Sequence, residues 1–471
     1  SNSDYTEAML APAECIRGEV LHEGDSIIYD SGTPHGMIAV DGKDCTFIAL
    51  VLPGEEAPEE EISRTLVRAR ESRSLLCEKF VHCTEDADGK VTGISFENED
   101  KYNFAFDTVD AVANAYPDKL AMIHLDEDKN ERRFTFADMK RLSNQTANYY
   151  KSLGIGKGDR VMLVLRRRFE FWTSMLALHK LGAVAIPATD QLLTHDYEYR
   201  FEAGGVSAIV CSSHGSACES VEEAEKNLAK TLTKVLVGGH REGWHDYHSE
   251  CPLFSSHFER TEDSACGDDT ALMFFTSGTT GYPKIAAHSH KYALGHFLTA
   301  KYWHCCERDG VHLTISDTGW GKALWGKFYG QWMCEGAVFV YDFNRFDAHD
   351  ILPLFAKYGI TTFCAPPTML RMLIREDISK YDLSSIHHMT TAGEALNPEV
   401  FRLFREATGL TIMEGFGQTE TTLTIGNFYG DTPRIGSMGK PSPLYDVDIV
   451  DADGNSVPVG ETGEICVRTS E

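Results

Sequence analysis

Residues 274–284 read FFTSGTTGYPK, and their types suggest a specific chemistry. Thr276, Ser277, Thr279 and Thr280 carry hydroxyls that donate hydrogen bonds to phosphate oxygens without the cost of burying a charge. Gly278 and Gly281 let the backbone approach a ligand or take positive φ, and Lys284 adds one point charge. The run is predicted to be a phosphate-binding loop, and the plain alternative is a flexible polar turn. Its glycines and lysine are spaced GxxGxxK, which separates it from the GxxxxGK[ST] nucleotide loop.

Four further apolar runs end on residues of the same character. VHLTI is followed by SDTGW, TTFCA by PPT, HHMTT by AGEAL and LTIME by GFGQTE, as ALMFF is followed by TSGTTGYPK. Ligands of open parallel sheets bind outside the carboxyl ends of the strands. The five exits are therefore expected to gather along one edge and form the site. A formal net charge of −27 argues against a nucleic-acid surface, so a phosphate must be held locally.

The elements that must position these residues can be read from pattern. TFADMKRLSNQTANYYKSLG starts on a capping Thr and ends at Gly154, which marks a helix; DRVMLVL is a buried strand, FEFWTSMLALHKLG a helix closed by Gly182, and AVAIP and VSAIVC are strands. Helices alternating with apolar strands predict an α/β protein of parallel βαβ units. We expect a first α/β subdomain over 101–269 and a second, with the phosphate loop, over 270–430. A β-rich, barrel-like segment is expected over 431–471, where DADGN and VGETG separate the strands. Residues 56–100 are expected to hold a linker helix, in EEAPEEEISRTLVRARESRSLL, and a connection.

Length and composition agree with several folding units of ordinary globular type, with 471 residues and 42% hydrophobic. No apolar run approaches the ~20 residues of a membrane span, and SNSDYTEAML has no basic region followed by an apolar core. Thirteen scattered cysteines form no paired framework, which predicts reduced thiols and a cytoplasmic location.

TSGTTGYPK, AGEAL and GFGQTET, in this order and spacing, resemble the adenylate-forming superfamily over about residue 100 to the end. FFTSGTTGYPKIAAHSH with TISDTGW is similar, more narrowly, to the medium-chain acyl-CoA synthetases. The resemblance implies ATP-dependent activation of a carboxylate to acyl-AMP with release of pyrophosphate, then transfer to coenzyme A. It implies that Thr276 through Lys284 hold the β- and γ-phosphates. Gly393, Glu394 and Ala395 would line the adenine, with Phe416 as an aromatic wall and Gly417 and Gln418 beside it. Thr419 would bond the α-phosphate and Glu420 would bind Mg²⁺. In acetate-restricted relatives a tryptophan just before the QTE segment shortens the acyl pocket. Here Phe416 and Gly417 stand there, so a longer or aromatic acid is expected to fit, with Trp320 as part of its wall.

Residues 1–55 resemble the closing half of a cupin barrel, through Gly24, Asp25, Pro34 and His35 within an antiparallel meander over 24–54. Two alternatives stay open for it: a unit cut through, or one completed by a second copy in a homo-oligomer. His288 and His290 lack the companions of a metal site and are expected to be structural or substrate-side. Arg166, Arg167 and Arg168 follow a strand, either as a solvated basic turn or facing the phosphates of coenzyme A.

The family resemblance also implies a ribose-binding aspartate, a hinge and a small C-terminal domain after GETGEICVR. None of these lies within the sequence, so weak turnover by the chain alone is expected. Two other functions compete: an adenylation domain that loads a carrier protein, and a sensor that binds an acyl-adenylate or nucleotide without turnover.

Overall fold

The computed structural model describes residues 73–276 and 282–468, with the backbone of short strands at Ala8–Leu10, Val20–Leu21, Met37–Ala39, Ile48–Leu50 and Arg64–Leu66. The central strands form two sheets. The first runs, in spatial order, His245–Asp246, Thr233–Val237, Ala208–Ser212, Arg160–Val164, Val184–Pro187, Thr270–Thr276 and Lys284–Ser289. Its pairings are parallel except the last, where Lys284–Ser289 folds back antiparallel on Thr270–Thr276.

The second sheet runs Lys440–Pro441, Leu423–Gly426, Ile412–Gly417, His388–Thr391, Thr362–Cys364, Val311–Thr314, Ala337–Tyr341, Leu120–Leu125 and Glu131–Thr135. The stretch from Ile412–Gly417 to Leu120–Leu125 is parallel throughout, with antiparallel strands at both edges. The α/β fold class expected from the alternating pattern is the fold observed.

Local chemistry accounts for several element boundaries. Helix Phe136–Ser152 starts at Thr135, whose hydroxyl accepts from the Asp138 amide while the Asp138 carboxylate accepts from the Thr135 amide. Helix Glu170–Leu181 stops at Gly182, where φ is +72°, and its side chains from Glu170 to Lys180 are all buried. A helix apolar or paired all round belongs between layers. There the Trp172 indole donates to the Lys327 carbonyl at 2.7 Å, and Trp172 shares one core cluster with Phe104, Phe328 and Trp332. Helix Pro398–Thr408 begins at Asn397, with Pro398 in its first turn, and ends at Gly409, where φ is +67°.

The strand order crosses the division expected at residues 269 and 270. Leu120–Leu125 lies in the second sheet beside Ala337–Tyr341, and Thr270–Thr276 lies in the first beside Val184–Pro187. Pattern along the chain marks each strand but carries no information on which distant strand it will pair with.

Three further expectations need correction. Arg64–Leu66 pairs antiparallel with Ile48–Leu50, so the expected linker helix is interrupted by a strand; its near-helical apolar spacing yields there to pairing. Residues 77–100 were expected to be a connection, but Val81–Glu85 and Val91–Phe96 form a hairpin. The segment 431–471 forms no closed barrel among the described residues. Asp446–Val450 pairs with Glu464–Arg468 in a two-stranded sheet, with one isolated bridge from Val450 to Ser456, while Lys440–Pro441 joins the second sheet, and two strands cannot close a barrel.

The expected meander over 24–54 is also divided, since Met37–Ala39 pairs with Ala8–Leu10 while Ile48–Leu50 pairs with Arg64–Leu66. Gly24, Asp25, Pro34 and His35 lie outside the described residues, as do residues 55–63 of the expected helix. Among the described residues no helix is long and apolar enough to cross a membrane, and every described cysteine is a free thiol.

Candidate active site

Four of the five strand exits singled out by sequence lie in the second sheet, and the fifth, Thr270–Thr276, lies in the first. They converge because the carboxyl ends of the two sheets face one another. Thr276 pairs with Lys284 across the antiparallel turn, so both ends of the candidate phosphate loop are fixed by the first sheet. Ser277, Gly278, Thr279, Thr280 and Gly281 lie outside the described residues. Tyr199, from helix Thr194–Ala203, donates to the Pro283 carbonyl at 2.7 Å and stacks on Tyr282, which anchors the lysine side of the turn. Lys284 is exposed and has no ion pair among the described residues.

His288 joins this hairpin to the second sheet. Its Nε2–H donates to the Thr419 carbonyl at 2.7 Å, and its ring stacks on Tyr292 at 3.9 Å. Burial pushes its pKa below the ordinary histidine value, only partly opposed by the bond to Thr419, so the imidazole is neutral near pH 7. The bond fixes the Gln418–Thr421 turn, in which the Gln418 amide also donates to the Thr421 hydroxyl at 3.0 Å. Thr419 is half-buried, and Gln418 and Glu420 are exposed. His288 is thus structural, one of the two roles expected for it, and it positions Thr419.

Phe416 and Gly417 end the strand Ile412–Gly417 immediately before this turn. A Cβ on Gly417 would lie 2.1 Å from Cη2 of Trp325 and 2.5 Å from the Thr422 carbonyl oxygen. Glycine is required by that close approach. The Gly417 position is thus covered by Trp325, delivered from helix Gly321–Lys327. The sequence signal was a second tryptophan five residues after Trp320, but nothing in the chain order says that it reaches Gly417.

Gly393, Glu394 and Ala395 follow His388–Thr391 and are exposed. Gly393 takes φ of +110°, a conformation for glycine. The Glu394 carboxylate accepts from the Thr368 amide at 2.8 Å and from the Thr368 hydroxyl, with Arg371 3.5 Å away. The Thr368 hydroxyl holds this carboxyl below the usual carboxylate range. Its side chain is thus committed to the start of helix Pro367–Leu373. Trp320 is 64% exposed at the head of helix Gly321–Lys327. The preceding turn is pinned to the other sheet: a Cβ on Gly319 would lie 2.3 Å from the Thr189 amide nitrogen.

Arg166 and Arg167 follow neither reading offered for them. Both are buried in an ion network that ties the exit of Arg160–Val164 to the exit of Ala337–Tyr341. Arg166 meets Glu127 at 2.7 Å, Asp342 at 3.3 Å and the Phe343 carbonyl at 3.0 Å; Arg167 meets Asp317 at 3.0 Å and the same carbonyl at 2.5 Å. Position between the two sheets buries what an isolated basic turn would leave in water.

Among the described residues no group of three or more His, Cys, Asp or Glu side chains is placed to hold a metal alone. A lone exposed Glu420 fits Mg²⁺ bound to a nucleotide, because that ion takes one or two carboxylates and completes its shell with phosphates and water.

Comparison with known proteins supplies an independent line. Residues 109–471 match the family model described as AMP-binding enzyme. The human protein named acyl-coenzyme A synthetase ACSM3, mitochondrial, is 36% identical over 375 residues, covering 78% of this chain and 63% of the relative. Human ACSM4, mitochondrial, is 35% identical over 378 residues, covering 78% and 64%. The chain thus spans under two thirds of the length of these relatives. The crystal structure of a Brucella canis acyl-CoA synthetase, 24% identical, shares the fold with a TM-score of 0.72 over 79% of this chain and 68% of that one. The anthranilate CoA ligase AuaEII, solved with anthranoyl-AMP, is 27% identical with a TM-score of 0.72 over 79% and 70%.

Proposed function

Because this chain belongs to the AMP-binding enzyme family, we propose that it activates a carboxylic acid with ATP as an AMP-forming acyl-CoA synthetase. The observation that carries the reading is the His288 bond to the Thr419 carbonyl, which holds the Thr276–Lys284 hairpin of one sheet against the Thr419–Glu420 turn of the other. In sequence the segment from Thr276 to Lys284 supplies hydroxyls, glycines and a lysine, and the turn bonded to His288 supplies a threonine and a carboxylate.

The acid's carboxylate attacks the α-phosphorus of ATP, a new C–O–P bond forms, and the bond to pyrophosphate breaks. The nucleophile is already ionised at neutral pH, so the protein must neutralise charge and align the reactants rather than remove a proton. Thr276, Ser277, Gly278, Thr279, Thr280, Gly281 and Lys284 receive the β- and γ-phosphates and the leaving pyrophosphate. Thr419 bonds the α-phosphate, and Gly393, Glu394, Ala395, Phe416, Gly417 and Gln418 border the nucleotide. Glu420 would hold Mg²⁺, which offsets phosphate charge when bound. The thiol of coenzyme A then attacks the acyl carbonyl, and AMP leaves. Relatives named acyl-coenzyme A synthetases support this second step. Free thiols throughout the described chain suit a reducing compartment such as the cytoplasm.

Exchange of pyrophosphate into ATP tests the reading. Lys284→Ala and Glu420→Gln should each lower the exchange rate by about 10²-fold or more, with unchanged urea midpoints, since both side chains are exposed. Full activity in both variants would reject the assignment.

A further inference from the structure

Helix Gly321–Lys327 lies across the site, and its first two residues face different parts of it. A Cβ on Gly321 would lie 3.8 Å from Thr419 Cγ2 and 3.9 Å from Phe274 Cζ, so this residue looks toward the place where the phosphates and the reacting carboxylate meet. Lys322 points elsewhere. Its ammonium donates to the Ala392 carbonyl at 2.5 Å and would stand 4.0 Å from a Cβ on Gly393. It lies among the exits of the second sheet.

This ammonium is incompletely partnered. It carries three donors, and its one hydrogen bond among the described residues is to the Ala392 carbonyl. Among the described residues it has no ion pair, and the neighbouring carboxylate, Glu394, is engaged by Thr368 and Arg371. Burial pushes its pKa below the ordinary lysine value, which measures the cost of holding it there. Trp325, three residues on in the same helix, closes on Gly417. An alkyl chain laid here would bury the ammonium further and satisfy none of its donors. A carboxylate at the far end of the acid would answer both the charge and the open donors.

We propose that Lys322 is a specificity-determining residue that selects an acid bearing a second carboxylate, a short dicarboxylic acid, over an unsubstituted fatty acid. The proposal rests on the adenylation reading and sharpens it by naming the substrate class.

The test compares succinate, glutarate and adipate with butyrate, hexanoate and octanoate in pyrophosphate exchange. Thermal unfolding with the matching acyl-sulfamoyl adenosines supplies a readout that needs no turnover. The wild-type protein should prefer the dicarboxylates by about 10- to 100-fold, the range expected for hydrogen bonds to a charged group. Lys322→Met should abolish or invert that preference while the KM for ATP stays unchanged. Lys322→Gln, which can still donate to Ala392, should also lose it, which separates charge recognition from a purely structural bond. Equal use of both acid classes by the wild type would overturn the proposal, as would a loss in Lys322→Met spread evenly over all acids, since a contact to the reacting carboxylate would give that result. A raised KM for ATP would also overturn it by placing Lys322 on the nucleotide. Exchange absent with every acid, together with no stabilisation of the wild type by AMP, would overturn the adenylation reading itself and this proposal with it.

Discussion

Arg166 tests how the two sheets are held in register at the site. Its guanidinium, 4% exposed, reaches Asp342 at 3.3 Å, Glu127 at 2.7 Å and the Phe343 carbonyl. Arg166→Met leaves the buried Asp342 with Arg167 alone, 3.8 Å away. Removing one partner of a buried pair costs about 3–5 kcal/mol, because a charge is left without compensation. The left-handed backbone at Arg166, φ +52°, is strained for methionine as for arginine, so the substitution brings no relief.

Asp342→Leu alone should cost a similar amount. Burial nevertheless pushes the Asp342 carboxyl above the usual carboxylate range, more than the two guanidinium groups pull it down. Desolvation therefore outweighs attraction in this cluster, and removing both charges should spare most of the loss. In the double variant the coupling should reach about 2–3 kcal/mol. Urea unfolding followed by tryptophan fluorescence measures all three variants, the midpoint shift at constant slope giving each ΔΔG. A cost below about 1 kcal/mol for Arg166→Met, or additive single effects, would refute the reasoning.

Buried imidazoles set the acid limit of stability. Burial pushes His290 down to about 4 and His296 and His312 down to about 3, against an ordinary value of 6.5. The unfolded chain takes up these protons first as pH falls, so stability present above pH 6.5 is lost progressively toward pH 4 and 3. Each histidine contributes up to about 1.4 kcal/mol per pH unit. His296→Phe should reduce the slope of the urea midpoint against pH between 6 and 4.5, and an unchanged slope would show that His296 is not buried neutral. Gly417→Ala should destabilise by about 1–3 kcal/mol and weaken binding of acyl-adenylate analogues, because the new methyl meets Trp325 and the Thr422 carbonyl. Trp325→Leu in the same chain should restore part of the stability in thermal unfolding; no recovery would locate the clash at the carbonyl instead.

The sequence by itself determined the local parts. Thr135 with Asp138, Gly182, Asn397 with Pro398, and Gly409 each state a helix boundary through capping chemistry that acts within a few residues. The residue types in TSGTTGYPK likewise suggest a phosphate-binding loop, with a flexible polar turn as the alternative, while the nucleotide roles of AGEAL and GFGQTE rest on the resemblance to the adenylate-forming superfamily. What only the tertiary structure decided is pairing at a distance. Leu120–Leu125 crosses to the second sheet and Thr270–Thr276 to the first, since strand pairing depends on partners far away in the chain. The same holds for side chains: the Arg166 and Arg167 pair is buried by two sheet edges meeting, Trp325 reaches a glycine far along the chain, and Lys322 is turned toward Ala392. Whether a charge is solvated, paired or left with open donors depends on burial, and burial is a property of the packed whole.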